Sequence, residues 1–294
     1  MNVLYSLLAR LPFPVLYALS DVLAWVLRRV VRYRLGLVRS NLRHAFPELT
    51  AEQRKHIERG FYRNFTDVAL ETIKASRMSP EAIAARASFD NIEVLEPYLE
   101  RQQSMLFLAC HQANWEWMLQ AMVPHLPCPM AVVYKPLHNA HTDSFMLKTR
   151  ARFGVQPVAF KDAGRDILRA RRQFRSFVLA ADQAPGRRDT RYWHDFFGRP
   201  APFYQGPQKL AQAAGLPVLF FAIQRRRRGH YSCRIEVLAD PPHAKSGFAI
   251  LDAFIAAAER SIREQPEGWL WSHDKWKVPT DEEARQLEAE RGDS

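Results

Sequence analysis

His111 and Glu116 lie in the run LFLACHQANWEW, which spans Leu106 to Trp117. An imidazole paired with a carboxylate can take a proton from a hydroxyl and prepare it to attack an acyl carbonyl. Such general-base assistance is typically worth roughly 10²- to 10⁴-fold in rate. On one continuous helix, side chains at this spacing would diverge by about 140°. The pair therefore meets only if His111 stands in a loop and Glu116 in the first turn of a helix. Asn114 supplies the break, because Asn is a favoured N-cap, and Glu116 then falls where the helix dipole favours negative charge. This geometry predicts that Glu116 accepts a hydrogen bond from one imidazole nitrogen and leaves the other as the base. The pattern is short. A histidine closing a strand, followed by a glutamate solvated on a helix, would read the same. Cys110 is read as a small buried apolar residue rather than a nucleophile, since neighbouring strand residues point to opposite faces.

The elements that must position this pair can be read around it. Leu106 to Cys110 are apolar or small and suit a buried strand that stops at His111. Similar runs predict strands at Ser104–Ala109, Met130–Tyr134, Val155–Phe160, Phe177–Ala181, Pro217–Ile223 and Tyr231–Leu238. Helices are predicted at Asn114–Met122, Asn139–Phe153, Ala163–Gln173, Gly206–Ala214 and Gly247–Arg263. The alternation implies an α/β fold, a largely parallel sheet covered by helices on both faces. Ligands in such sheets bind at the carboxyl ends of strands, where His111 falls. Residues 48–103 read as helical, with Ile57, Phe61, Phe65, Val68 and Ile73 at helical spacing.

Lys and Arg total 42 against 31 Asp and Glu in 294 residues, a net charge of +11, with a pI near 9.8. That surplus calls for an anionic partner: nucleic acid, anionic lipid or an acidic carrier protein. Cys110, Cys128 and Cys233 are odd in number and irregularly spaced, which suits free thiols in a reducing compartment.

Leu11 to Leu27 carries a single charge, Asp21, and is followed by Arg28, Arg29, Arg32, Arg34, Arg39 and Arg43. Its length reaches the short end of a spanning helix, about 17 to 25 residues. Asp21, Pro12 and Pro14 favour an interfacial or re-entrant helix instead, since a mid-membrane Asp costs roughly 2.5 to 3.5 kcal/mol. Arginines after the apolar run belong on the cytoplasmic side and against anionic lipid, and no small-residue cleavage site follows. Residues 1–45 thus read as an N-terminal membrane anchor with a basic flank, the alternative being a buried helix of a soluble domain. Residues 46–280 form the catalytic domain, and 281–294 an acidic tail resembling a frayed helix.

Four ordered blocks extend the pattern: HQANWE from His111, YKP at Tyr134 to Pro136, ADQAPG at Ala181 to Gly186, and FYQGPQKLAQAAGLPV from Phe203 to Val218. Together, with WLWSHDKWK ending at Lys277, they resemble the late acyltransferases of lipid A biosynthesis, the lauroyl/myristoyl transferase group. That group is related to the broader glycerophosphate and lysophospholipid acyltransferases. The resemblance implies an αβα sandwich acyltransferase domain with an N-terminal membrane-associated helix, on the cytoplasmic face of the bacterial inner membrane. It implies a fatty acyl chain taken from acyl carrier protein or acyl-CoA and passed to a hydroxyl of an anionic membrane glycolipid precursor. Related enzymes acylate lysophospholipids, mannosides and aminolipids. No metal, bound cofactor or nucleic-acid partner is implied.

On this reading His111 deprotonates the acceptor hydroxyl and Glu116 orients and polarises His111. Backbone amides near Gly206 are candidates for holding the oxyanion. Lys135, Arg150, Arg187 and Arg188 are candidates for phosphate or carrier contacts, although Lys135 lacks the bidentate fork of the Arg found in many members. Asp182 and Gln183 end a strand beside the site and take an architectural or acceptor-positioning role. Asn114 is foremost a helix cap and also a candidate substrate contact. Three other features carry less. The His138–His141 pair offers no third ligand for zinc. Arg225 to Arg228 is read as a hairpin cap facing anionic headgroups, the carrier or solvent, since no nucleic-acid-binding motif accompanies it. Trp115, Trp117, Trp193, Phe196 and Phe197 suit an acyl groove, the membrane surface or simply the core.

Overall fold

A computed structural model describes residues 3–137, 139–169, 173–186 and 189–277. The chain opens with three helices, α1 (Val3–Arg10), α2 (Phe13–Arg29) and α3 (Leu35–Ala45), and then the long α4 (Ala51–Ala75). Thr50 starts α4 with a reciprocal cap: its hydroxyl accepts from the Gln53 amide, and the Gln53 side chain accepts from the Thr50 amide. The chain continues as α5 (Pro80–Ala84), β1 (Ala87–Phe89), α6 (Glu96–Glu100), β2 (Met105–Ala109), α7 (Trp115–Met122), β3 (Met130–Tyr134), α8 (Ala140–Arg152) and β4 (Val155–Ala159). It continues through α9 (Ala163–Arg169), β5 (Ser176–Ala180), β6 (Arg191–Asp195), β7 (Pro200–Tyr204), α10 (Gly206–Ala214), β8 (Val218–Arg227), β9 (His230–Ala239) and α11 (Ala249–Glu264).

Seven strands form one sheet in the order β1-β9-β8-β2-β5-β3-β4. All neighbouring pairs run parallel except the β8–β9 hairpin, as expected for an α/β fold. Side chains alternate across β2. Leu106, Leu108 and Cys110 enter one core with α9, α10 and α11, while Met105, Phe107 and Ala109 enter the other with α7. A strand buried on both faces reads as a continuous apolar run, which explains LFLA. The separate β6–β7 hairpin has no counterpart in the sequence reading. Pro200 and Pro202 sit in β7, and proline hides a strand that has no sheet interior to occupy.

Helix α2 lies along α4 with a polar seam. Ser20 donates to Asp67 Oδ1 at 2.6 Å, Arg28 pairs with Glu58 at 2.7 Å, and Asp21 is flanked by Arg63 and Arg228. The opposite face carries Val15, Val22 and Trp25, with Trp25 60% exposed. Among the described residues no helix is long and apolar enough to cross a membrane. Leu35, Val38 and Leu42 of α3 join the same core as the sheet.

The basic flank is corrected in part. Arg28 and Arg39 both pair with Glu58, and Arg34 donates to the Ser272 carbonyl at 2.9 Å, so these three bind protein rather than lipid. Arg29, Arg32 and Arg43 are exposed. The arginine run after Gln224 closes the β8–β9 hairpin as expected, but its partners are corrected. Arg225 and Arg228 both reach Asp67, Arg228 also reaches Asp21, and Arg226 pairs with Asp90. A nearly desolvated Asp67 between two guanidiniums fastens the β8–β9 hairpin to α4 and α2. Gly229 completes that turn with φ +70°, and a side chain there would collide with the Tyr17 hydroxyl.

Candidate active site

Strands β2 and β5 pair in register from Met105–Ser176 to Ala109–Ala180, and the Ala181 amide extends the ladder to the Ala109 carbonyl at 3.0 Å. Carrying that register two residues past the strand ends brings His111 beside Asp182. His111 Nδ1 lies 2.7 Å from Asp182 Oδ1, and the His111 amide donates to Oδ2 at 3.0 Å. Trp269 Nε1 donates to the same Oδ2 at 2.8 Å. Asp182 is almost fully buried. Burial alone would raise its pKa, yet the charge of His111 and these three donors hold it well below the usual carboxylate range. An ionised Asp182 accepts a hydrogen bond from Nδ1–H, which leaves Nε2 free to act as the base, and about a fifth of the imidazole is exposed.

The expectation that Glu116 accepts the His111 hydrogen bond is therefore corrected: Asp182 holds that position. Glu116 does stand in the first turn of α7, behind Asn114 as N-cap. Its carboxylate is taken by Arg150, whose Nε and Nη2 reach it at 3.0 and 2.6 Å. A bidentate guanidinium satisfies a buried carboxylate better than one imidazole nitrogen can. Arg150 accordingly serves Glu116 rather than a phosphate or carrier. The negative charge of Glu116 still reaches the imidazole: burial lowers the His111 pKa, but Asp182 and then Glu116 outweigh it and leave it raised.

Asn114 is corrected from substrate contact to anchor. It is fully buried; its Oδ1 caps α7 at the Trp117 amide, and its Nδ2 donates to Glu71 Oε2 at 2.7 Å. Glu71 also accepts from Tyr231 at 2.6 Å and Tyr17 at 2.7 Å, so one carboxylate ties the catalytic helix to α2, α4 and β9. Between His111 and Asn114, Ala113 adopts φ +50°, a left-handed conformation costing a non-glycine residue roughly 1 to 2 kcal/mol. The strain is held by the C-terminal segment. The Ala113 amide donates to the Gly268 carbonyl at 3.0 Å, the Leu270 amide donates to the His111 carbonyl at 3.1 Å, and Gln112 bridges Trp269.

That segment reaches behind the dyad with two further titratable groups. His273 Nε2 accepts the Ala184 amide at 2.9 Å; burial lowers its pKa to about 4, so it is a neutral acceptor that fixes the loop carrying Asp182. Lys275 is fully buried. Its Nζ donates to the Pro202 carbonyl at 2.7 Å and stands 3.3 Å from the centre of the Phe203 ring. Burial depresses its pKa to about 7, partly countered by the Asp182 charge. Burial also disfavours the charged form of Cys110 and pushes its thiol well above the usual value, which does not suit a nucleophile.

An imidazole whose Nε2 faces outward, oriented by a buried aspartate at the carboxyl end of a parallel sheet, suits proton removal from a hydroxyl. Comparison with known proteins agrees with that chemistry. The family model for bacterial lipid A biosynthesis acyltransferases matches residues 1–278. The chain belongs to this family. Relatives include the lipid A biosynthesis lauroyltransferase of Escherichia coli K12, 24% identical over 92% of this chain and 88% of the relative. The lipid A biosynthesis palmitoleoyltransferase of the same strain is 22% identical over 92% of this chain and 87% of its own. The protein is thus an acyltransferase enzyme.

Among the other expected site residues of this acyltransferase, Lys135 is exposed just past β3 and Gln183 is half-buried after Asp182. Gly206 opens α10, where an added side chain would meet only open space. Arg187, Arg188 and His138 lie outside the described residues, as does the tail from Asp281. Trp117, Phe196 and Phe197 are buried core residues, whereas Trp115 and Trp193 are half-buried; Trp115 meets His111 edge-on with centroids 5.2 Å apart. The sequence reading missed Glu71, Trp269, His273 and Lys275 as supports of the site. The Trp-Ser-His-Asp-Lys block was visible, but nothing local tells a polar residue near a terminus that it will be buried against a distant strand end.

Proposed function

We propose that this acyltransferase moves a fatty acyl chain from a thioester donor, acyl carrier protein or acyl-CoA, to a hydroxyl of a lipid A precursor. The observation that carries the reading is the His111–Asp182 pair, with Nε2 facing outward in a chain of this family. His111 Nε2 takes the acceptor proton as the hydroxyl oxygen attacks the thioester carbonyl, and Asp182 stabilises the imidazolium that forms. The tetrahedral intermediate collapses with loss of the thiolate, which recovers the proton from His111. No acyl-enzyme is required. Glu116, held by Arg150, adds negative charge beside the imidazolium. The amides opening α10 at Gly206, where there is open space, are the proposed oxyanion donors.

The enzyme works on the cytoplasmic face of the inner membrane, with α1 and the outer face of α2 lying in the interface. Val15, Val22 and Trp25 form a stripe on α2, continued by exposed Val30 and Val31. Exposed Arg29 and Arg32 stand beside it. A helix with an apolar outer face and flanking cations lies in an interface rather than across it.

The decisive experiment is acyl transfer by purified wild type, His111→Ala and Glu116→Ala, supplied in turn with acyl carrier protein and CoA thioesters and a lipid A precursor. The expected result is loss of roughly 10²- to 10⁴-fold in kcat for His111→Ala with an unchanged circular dichroism spectrum. Full activity of both variants would overturn the mechanism. Acylation of a lysophospholipid, mannoside or aminolipid in place of the precursor would overturn the acceptor assignment while leaving the chemistry intact.

A further inference from the structure

Helix α8 has two occupied faces. Arg150 points one way, to Glu116; on the opposite side, His141, Phe145, Lys148 and Arg152 join Tyr5 of α1 and Ser76 around a cavity of about 480 Å³. That volume lies within the range of small-ligand sites, about 300 to 1,000 Å³. The wall is aromatic: the Tyr5 and Phe145 rings meet with centroids 4.7 Å apart, and the Tyr5 hydroxyl lies 3.3 Å from Thr142 Oγ1. The rim is cationic and, among the described residues, includes no carboxylate. Lys148 is exposed. Arg152 is anchored through Nη1 to the Ala75 and Ser76 carbonyls at 3.2 and 2.6 Å. Arg77 stands next to it, 3.3 Å from Ser6 Oγ. On the solvent side, Val3, Leu4 and Leu7 of α1 are exposed apolar residues.

We propose that this cavity between α1 and α8 binds the headgroup phosphate of an anionic phospholipid from the bilayer on which the enzyme sits. Lys148 and Arg152 meet the phosphate, and Val3, Leu4 and Leu7 lie along the acyl chains. An aromatic wall, a cationic rim and an adjoining apolar face match a phosphate esterified to an amphiphile better than a free anion. The occupant is not the acceptor. Residues 148 and 152 are each about 200° from 150 around the helix, and none of His111, Glu116 and Asp182 lines the cavity. A hydroxyl held there could not reach His111 Nε2. The site is instead a positioning contact, because the same helix presents Arg150 to Glu116 on its other face.

This inference rests on the interfacial reading of α1 and α2, and the test separates the two. The full-length protein is sedimented with vesicles of phosphatidylcholine alone and of phosphatidylcholine with phosphatidylglycerol. Wild type is expected to bind both and to prefer the second. Lys148→Glu should weaken binding to the phosphatidylglycerol vesicles by about thirtyfold, given about 1 kcal/mol per unit charge near an anionic surface and two units reversed. It should leave phosphatidylcholine binding unchanged. Lys245→Glu, at an exposed lysine on the loop before α11, should change neither. Equal losses for the two variants would overturn the site in favour of diffuse net charge. A raised acceptor KM for Lys148→Glu in detergent without phospholipid would overturn it by giving the cavity to the acceptor. Failure of wild type to bind either vesicle would defeat the interfacial reading itself.

Discussion

At the scale of residues, the imidazole of His111 is governed by a contact that lies 71 positions away in the chain. Asp182→Asn removes the charge that outweighs burial and raises the His111 pKa. Wild-type kcat/KM should rise with pH through a pKa above 6.5, because only neutral Nε2 accepts a proton. In Asp182→Asn that limb should shift to lower pH while the plateau falls about 10³- to 10⁴-fold, as read from a pH–rate profile. A fall without a pKa shift would show that Asp182 acts only by packing. The stability linkage has the complementary sign. The folded pKa of His111 is raised, so its contribution is full below about 6.5 and is lost as pH rises through the higher folded value. Lys275 behaves oppositely. Its folded pKa is depressed to about 7 against about 10.4 unfolded, so the unfolded chain binds more protons between those values and stability should rise with pH there. Lys275→Met should flatten that rise, which Tm measured from pH 7 to 10 will test; parallel profiles for the two proteins would sink the assignment.

At the scale of elements, the site depends on how the N-terminal end of α7 is held. Asn114 fastens the N-terminus to Glu71, and Glu116 in the first turn is clamped by Arg150 of α8. Arg150→Ala would leave a buried carboxylate without its partner, and a stability loss of about 3 to 5 kcal/mol is expected from denaturant unfolding. Neutralising Glu116 in the same chain should recover part of it, whereas additive losses would mean that the pair is not coupled. Much of this level was open to reading. LFLA, its strand end at His111 and the Asn114 cap followed from periodicity and capping chemistry alone. The choice between Asp182 and Glu116 did not, because both are carboxylates near a turn and only sheet order says which is adjacent.

At the scale of the whole molecule, the net charge of +11 is spent unevenly. Arg28, Arg39, Arg225 and Arg228 are consumed by buried or half-buried acids, leaving a smaller set of exposed cations beside the apolar face of α1 and α2. Replacing both Val22 and Trp25 with Glu should reduce sedimentation with phosphatidylglycerol vesicles by at least about tenfold with little change in Tm. These side chains are exposed, so their loss removes no core packing. Undiminished binding would place the membrane contact elsewhere.

Alternation of apolar runs determined the α/β layering and the position of His111 at a strand end, because periodicity records which faces are buried and needs no partner to be visible. Tertiary structure alone decided which strands are neighbours. It thereby gave the imidazole to Asp182, the glutamate to Arg150 and the arginine run to Asp67 and Asp21. Charge pairing depends on distances across the fold, and sequence separation carries no information about those distances.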